Sequence, residues 1–235
     1  MIEIYAVNIA ERKEKGVVVQ MLPFVDKHKQ NRINRFLNWE DSLRSLTAEL
    51  LARYIIIRKT GLRNEDIVFS HNGFGKPVLQ NRDNFHFNLT HSGDWIACAV
   101  DSNPVGIDIE RIEPLDLDNI SRRYFSEDEH RYLLSQSDRL AHFFMLWTLK
   151  ESYVKMEGKG LHLPLDSFSM RFGSGNGIGI EFRGKELDDR FFCRYDIDSS
   201  YKMAICAQSR EFPRSVIRKS VDELVESFLS LGGIR

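Results

Sequence analysis

The chain has 235 residues, 42% of them hydrophobic, and a formal net charge of −1 at pH 7. That apolar share supports a sizeable core and argues against disorder, and the near-zero charge excludes a global basic field for nucleic acid or anionic lipid, so phosphate binding must rest on local clusters. No apolar run approaches the ~20 residues of a membrane span. The first residues lack a signal-peptide pattern, and Cys98, Cys193 and Cys206 lack metal-ligand spacing, which together fit a reducing cytoplasm.

Ile2 to Val7 alternates and predicts a strand, and residues 17 to 24, with Pro23, predict a strand edge or a helix entry. Lys27 to Leu37 predicts a helix carrying Lys27, Lys29, Arg32 and Arg35, either a solvated face or a phosphate-facing patch formed by Lys29 and Arg32 one turn apart. Asp41 to Lys59 predicts a long helix with Leu43, Leu46, Leu50, Leu51, Tyr54 and Ile55 inward and Gly61 as its stop. Ile67 to Ser70 predicts a strand, and residues 71 to 77 a glycine-containing turn whose Lys76 is placed to meet a phosphate. Phe85 to Leu89 and Trp95 to Val100 predict a hairpin with Thr90 to Asp94 as its turn and His91 at the tip.

Asn103-Pro104 marks the best boundary, and beyond it the order of elements repeats at a period of roughly 100 residues. Each half shows a strand, a helix followed by Gly-Leu (Gly61-Leu62, Gly160-Leu161) and a hairpin ending in an Ala-Cys-rich run, with Tyr54 and Tyr153 as counterparts. The expected fold is α+β: two similar lobes, residues 1–103 and 104–213, facing each other as a pseudo-dimer with a ligand cleft between them, followed by a helical tail over 214–235. The glycine-rich stretch 173–177 joins two strands and reads as a hairpin turn rather than a phosphate loop.

Two stretches carry the chemistry. Val105 to Glu110 predicts a strand with Ile107 and Ile109 on one face and Asp108 and Glu110 on the other. Two adjacent carboxylates repel, so they mark either an exposed acidic edge or the oxygen ligands of a hard cation such as Mg²⁺. Residues 141 to 155 read as one helix in which Trp147, Glu151 and Lys155 share a face and Lys150 sits about 100° to one side. Glu151 and Lys155 are either a solvated pair or, with Asp108 and Glu110, a three-carboxylate cation site beside a lysine.

Gly106-Ile107-Asp108-Ile109-Glu110 followed by Trp147-x-x-Lys150-Glu151-x-x-x-Lys155 resembles the paired signature of the 4′-phosphopantetheinyl transferases. Gly75-Lys76-Pro77, Phe87 to Gly93, Glu157 to Leu161, Pro164 to Ser169 and Tyr201 to Ala204 are also similar to that family, in the order of its two-lobed, surfactin-type branch. The resemblance implies transfer of the phosphopantetheine arm of coenzyme A to a serine of an apo carrier protein, with Mg²⁺ (or Mn²⁺) and release of adenosine 3′,5′-bisphosphate. It implies that Lys29 and Arg32 hold the 3′-phosphate side of coenzyme A, with Ser45, less firmly Arg44, and Lys76-Pro77 near the nucleotide and Thr90 and His91 on its phosphates. Asp108, Glu110 and Glu151 would hold the metal, with Glu110 the least firm. Glu151 would be the base, Lys155 would neutralise the leaving phosphate, and Lys150 would either assist electrostatically or tie the helix down. Leu115, Leu117, Tyr124 and Phe125 would border the carrier, of peptidyl or acyl type, and the duplicated chain would act as a cytoplasmic monomer. Two rivals use the same residues: a Mg²⁺-dependent pyrophosphate hydrolase and a non-catalytic nucleotide-binding module.

Overall fold

The first half of the chain forms strand β1 (Glu3–Asn8), helices α1 (Lys15–Met21), α2 (Lys27–Ile33) and α3 (Trp39–Thr60), the short hairpin β2 (Phe69–His71) and β3 (Pro77–Leu79), and strands β4 (His86–Ser92) and β5 (Trp95–Asp101). The second half forms β6 (Val105–Arg111), α4 (Leu117–Tyr124), α5 (Glu127–Leu134), α6 (Arg139–Glu157), β7 (Phe168–Phe172), β8 (Ile178–Phe182), β9 (Lys185–Leu187), β10 (Phe191–Arg194), β11 (Tyr201–Ala207), β12 (Ile217–Ser220) and α7 (Val221–Phe228). This computed structural model describes residues 1–11, 15–173 and 177–233; positions 174–176 of the glycine-rich turn lie outside the described residues.

The expected duplication is visible in the topology. One sheet has the order β12-β1-β5-β4 and the other β10-β11-β6, so in each the lobe's first strand lies beside its last. A long helix covers each sheet: α3 buries Leu43, Leu46, Leu50, Leu51, Tyr54 and Ile55, and α6 buries Phe143, Leu146, Leu149 and Tyr153. Both helices stop at a glycine in the left-handed region, Gly61 (φ 70°) and Gly158 (φ 67°), whose N–H closes on the carbonyl four residues back. The second stop is Gly158, not the Gly160 of the sequence repeat.

A third apolar cluster lies between the lobes. Ile4, Ala6, Ala97 and Ala99 meet Ile107, Ile109, Met203 and Ile205, so the inner strands are covered on both faces. Beside it, β4 and β6 run next to each other without pairing as strands. Side chains take the place of the backbone ladder: Asn88 Oδ1 accepts from Ile107 N–H (2.8 Å), Thr90 Oγ1 from Ile109 N–H (3.3 Å) and Ser92 Oγ from Arg111 N–H (3.1 Å). Residues two apart on a strand share a face, so the polar positions of His86–Ser92 satisfy every second amide of the acidic strand.

Two short segments depart from expectation. Residues 17 to 24 belong to α1 and a following helical turn, and β2 begins at Phe69 rather than Ile67. The tail is not only helical: β12 joins the first sheet parallel to β1, and α7 packs on α3.

Gly106 sets how closely α6 approaches β6. A Cβ there would lie 2.0 Å from Ser152 O and 2.3 Å from Met156 N, backbone atoms of a packed helix that cannot turn aside. Gly106→Ala is expected to destabilise the fold by about 1–3 kcal/mol or more, the usual cost of overpacking, and to shift α6 against β6. Denaturant melts check it; an unchanged midpoint would mean that the helix rides less tightly than described.

Candidate active site

Alternation along β6 turns Gly106, Asp108 and Glu110 toward α6, while Val105, Ile107 and Ile109 enter the seam between the lobes. On α6, Glu151 and Lys155 face the same spot one turn apart. The Lys155 ammonium lies 2.5 Å from Asp108 Oδ1 and 3.2 Å from Thr90 Oγ1. Thr90 also donates to Asp108 Oδ1 at 3.1 Å. The other Asp108 oxygen, Oδ2, is buried with no hydrogen-bond partner among the described residues. Ser92 donates to Glu110 Oε2 at 2.7 Å.

The acidic side chains perturb one another. Burial pushes Asp108 above the usual carboxylate range, and Lys155 and Thr90 pull it back. Burial and the Asp108 charge raise Glu110 to about 7. Burial and Asp108 also raise Glu151, with Lys155 opposing. Like charges that raise one another within a small space favour a cation. The oxygens are nevertheless not gathered into a ligand set: among the described residues, no three His, Cys, Asp or Glu side chains stand in a metal-holding arrangement. One Asp108 oxygen is taken by the Lys155 ammonium. The donor chemistry still suits a hard divalent ion, since a buried carboxylate oxygen is left over near two carboxylates whose proton affinity is raised by burial and by Asp108.

A cationic group lies next to the acids. Desolvation and the charges of Arg44, Lys155 and Lys29 hold the His91 imidazole below the usual histidine range. Lys29 is lowered by burial, opposed by Glu49 at 3.7 Å, and Arg32 adds to the lowering. Lys29, Arg44, His91 and Lys155 thus come together from α2, α3, β4 and α6. Arg44 also donates to Gly93 O at 3.2 Å. Ser45 is half-buried on α3. His91 belongs to β4, opposite Ile96, and only Gly93-Asp94 forms the turn, a shorter loop than the sequence suggests.

Beyond Lys155 opens a cleft of about 630 Å³ lined by Pro77 and Phe74 from one lobe and Tyr124, Trp147, Glu151 and Leu165 from the other.

The sequence pattern of the 4′-phosphopantetheinyl transferase superfamily matches residues 104–206, and that of the 4′-phosphopantetheinyl transferase N-terminal region matches residues 13–103. The chain is 39% identical to the 4′-phosphopantetheinyl transferase Sfp of Bacillus subtilis strain 168 over 208 residues, 88% of this chain and 92% of Sfp. It is 41% identical to the 4′-phosphopantetheinyl transferase gsp of Aneurinibacillus migulanus over 232 residues, 97% of this chain and 96% of gsp. The chain belongs to the 4′-phosphopantetheinyl transferase superfamily. Among solved structures, the holo-[acyl-carrier-protein] synthase of Thermotoga maritima matches 44% of the transferase and 61% of its own chain, at a TM-score of 0.37 and 19% identity.

Three residues expected at the transferase site have partners within the protein, and Lys150 follows its helix-tying alternative. Lys150 is 0% exposed. Its ammonium donates to both Glu129 oxygens (2.8 and 2.6 Å) and to Phe168 O (2.7 Å), and lies 4.4 Å from the Phe168 ring centre. A 100° step around α6 turns it into the second lobe's core, so it ties α6 to α5 and β7 and does not reach the cleft. Lys76 was expected on a phosphate, but its three N–H donors go to Val105 O (3.1 Å), Lys155 O (2.5 Å) and Met156 O (3.4 Å). Burial draws its pKa down to about 8, with Glu157 opposing. Thr90 was also expected on a phosphate. Its one donor and two acceptor sites are filled by Asp108, Ile109 N–H and Lys155.

Of the apolar residues expected to border a partner, Phe125 is buried in the second lobe's core, and Leu115 and Leu117 pack against it. Tyr124 meets the Trp147 ring edge-on at 5.7 Å and lines the cleft. Sequence reading missed Asn88, Ser92 and Asn72. The signal for the first two was present in Asn88, Thr90 and Ser92, hydrogen-bonding side chains at every second position of β4. No helix among the described residues is long and apolar enough to cross a membrane.

Proposed function

We propose that this transferase moves the 4′-phosphopantetheine arm of coenzyme A to a serine hydroxyl of an apo carrier protein, releasing adenosine 3′,5′-bisphosphate. The observation that carries the reading is Asp108: one oxygen on Lys155, the other buried and unpartnered, with Glu110 and Glu151 close enough to raise each other's proton affinity. Lys29, Arg32 and Arg44 form the cationic wall for the nucleotide's phosphates, His91 stands beside them as a hydrogen-bonding imidazole, and Pro77 and Ser45 border the nucleotide. Asp108, Glu110 and Glu151 are the residues that would hold Mg²⁺, or Mn²⁺ in its place. Such an ion would supply neutralisation of the charge on the phosphates.

The serine oxygen forms a bond to the phosphorus bearing the pantetheine arm as the bond from that phosphorus to the bridging oxygen breaks. Glu151, made more basic by burial and by Asp108, accepts the serine proton. Lys155 lies one helical turn on and neutralises the charge that develops on the departing phosphate. The apolar cleft beyond Lys155 suits the uncharged pantetheine arm and the carrier surface that receives it. Two lobes in one chain complete the site, which supports action as a monomer; the carriers proposed are of peptidyl or acyl type, and the place of action the cytoplasm.

Incubation with coenzyme A, Mg²⁺ and an apo carrier, followed by mass spectrometry of the carrier, tests the reading. A gain of roughly 340 Da, the mass of the arm that the cofactor donates, is the expected result. Coenzyme A cleaved with no gain on the carrier selects the hydrolase, and binding with no turnover selects the nucleotide-binding module.

The carboxylates also set a pH dependence. Glu110 is raised from 4.5 to about 7. Across that window the folded chain holds a proton that the unfolded chain has released, so without a divalent ion stability falls as pH rises. Mg²⁺ is expected to raise the melting temperature more at about pH 8 than at about pH 5, because only the ionised carboxylates gain from it. Equal shifts at both pH values would place the ion elsewhere.

A further inference from the structure

The loop that lines one wall of the cleft also holds the end of the helix that carries Glu151 and Lys155. Helix α6, like every helix, ends in carbonyls that lack a helical partner, of which the Gly158 N–H takes that of Val154. Two residues of the other lobe supply partners for others. Asn72 Nδ2 donates to Gly158 O at 2.8 Å, and Lys76 Nζ donates to Lys155 O at 2.5 Å and Met156 O at 3.4 Å. The third Lys76 donor reaches Val105 O at 3.1 Å, the first residue of the strand that bears Asp108 and Glu110. A cation at a helix C-terminus is favourable in itself. Gly158 leaves the space for this clasp: a Cβ there would lie 2.9 Å from Asn72 Nδ2 and 3.1 Å from Lys76 Cδ. Asn72 also folds its own loop, its Oδ1 accepting from the N–H groups of Phe74 and Lys76 at 2.9 Å each.

We propose that Lys76 is a positioning residue, a clasp from the first lobe that fixes the last turn of α6 against the start of β6 and so sets Lys155 opposite Asp108. The assignment of Lys155 to the reaction rests on the proposed function; the clasp itself does not. The side chain touches no substrate in this role. Lys76 lines the cleft together with Gly75 and Pro77, so the segment that borders the substrate is the one that holds the catalytic lysine's turn.

The test uses the full chain with Lys76→Met, which keeps the apolar stem and removes the donors, and with Lys76→Arg, which restores a cation able to reach carbonyls. Three quantities are read: coenzyme A affinity by calorimetry, single-turnover transfer to an apo carrier, and amide exchange of residues 155–158. For Lys76→Met the expected result is affinity within about twofold of the parent, transfer slowed by about tenfold to a hundredfold, and exchange in the last turn of α6 faster by more than tenfold. Lys76→Arg should recover part of the rate and part of the protection. A tenfold loss of affinity with exchange unchanged would overturn the clasp and make Lys76 a phosphate ligand; no change in any of the three would overturn it as well. Should Lys76→Met not fold, Lys76→Arg and Asn72→Ala carry the same comparison. If the parent chain transfers nothing to a carrier, the proposed function fails, while the exchange measurement still decides the clasp.

Discussion

Lys155→Ala is expected to lower turnover by about 10²–10³-fold, the usual cost of removing a group that stabilises developing charge in a sheltered site. The ammonium at 2.5 Å from Asp108 Oδ1 is partly exposed on its cleft side, so its removal opens no core cavity. Coenzyme A and Mg²⁺ binding should stay near normal. A variant that turned over normally at saturating Mg²⁺ but needed far more of it would make Lys155 a support for metal binding and not a group acting on the leaving phosphate. Asp108 should respond as well: without its counter-charge the buried carboxyl rises further, and residual activity should shift to higher pH.

Lys150→Ala, five residues earlier on the same helix, is expected to do the opposite. It should cost about 3–5 kcal/mol of stability, because it leaves Glu129 buried without its cation. Glu129 also accepts from Met170 N–H and Ser126 N–H, so β7 and the start of α5 loosen together. Turnover per folded molecule should stay within about twofold, since no atom of Lys150 reaches the cleft. Replacing both partners, with Lys150→Met and Glu129→Leu, should recover much of the loss, as apolar substitutes for a buried pair often do. Unfolding midpoints beside single-turnover rates separate the two lysines; a large rate loss in stable Lys150→Ala would return that residue to the chemistry.

The contrast shows which parts of the site could be read from sequence. Helical spacing put Glu151 and Lys155 on one face, and strand alternation put Asp108 and Glu110 together; both are local periodicities, and the structure keeps both. Which way the faces point is a tertiary matter. Lys150 differs from Glu151 by one residue, and nothing in the sequence tells that the 100° between them separates a core from a cleft. The same limit applies to Lys76 and Thr90. Lys76 looked like a phosphate contact because it is a donor in a turn, and the family resemblance placed Thr90 on a phosphate, yet their partners lie on β6 and α6, 18 to 80 residues away. The duplicated lobes were legible because each repeats the same local pattern. The parallel strand β12 was not, since four residues of mixed polarity after a proline carry no alternation strong enough to announce it.

That strand has a consequence for how the chain is made. Strand β1 lies between β5 and β12, and β12 follows it by more than two hundred residues. During synthesis β1 can pair with β5 once the first lobe has emerged, but its other edge stays open until the second lobe has passed through the ribosome. An open edge invites pairing with other chains. The nascent first half is therefore the span in which this protein most needs a chaperone, and slowing translation between residues 104 and 216 should lengthen that exposure.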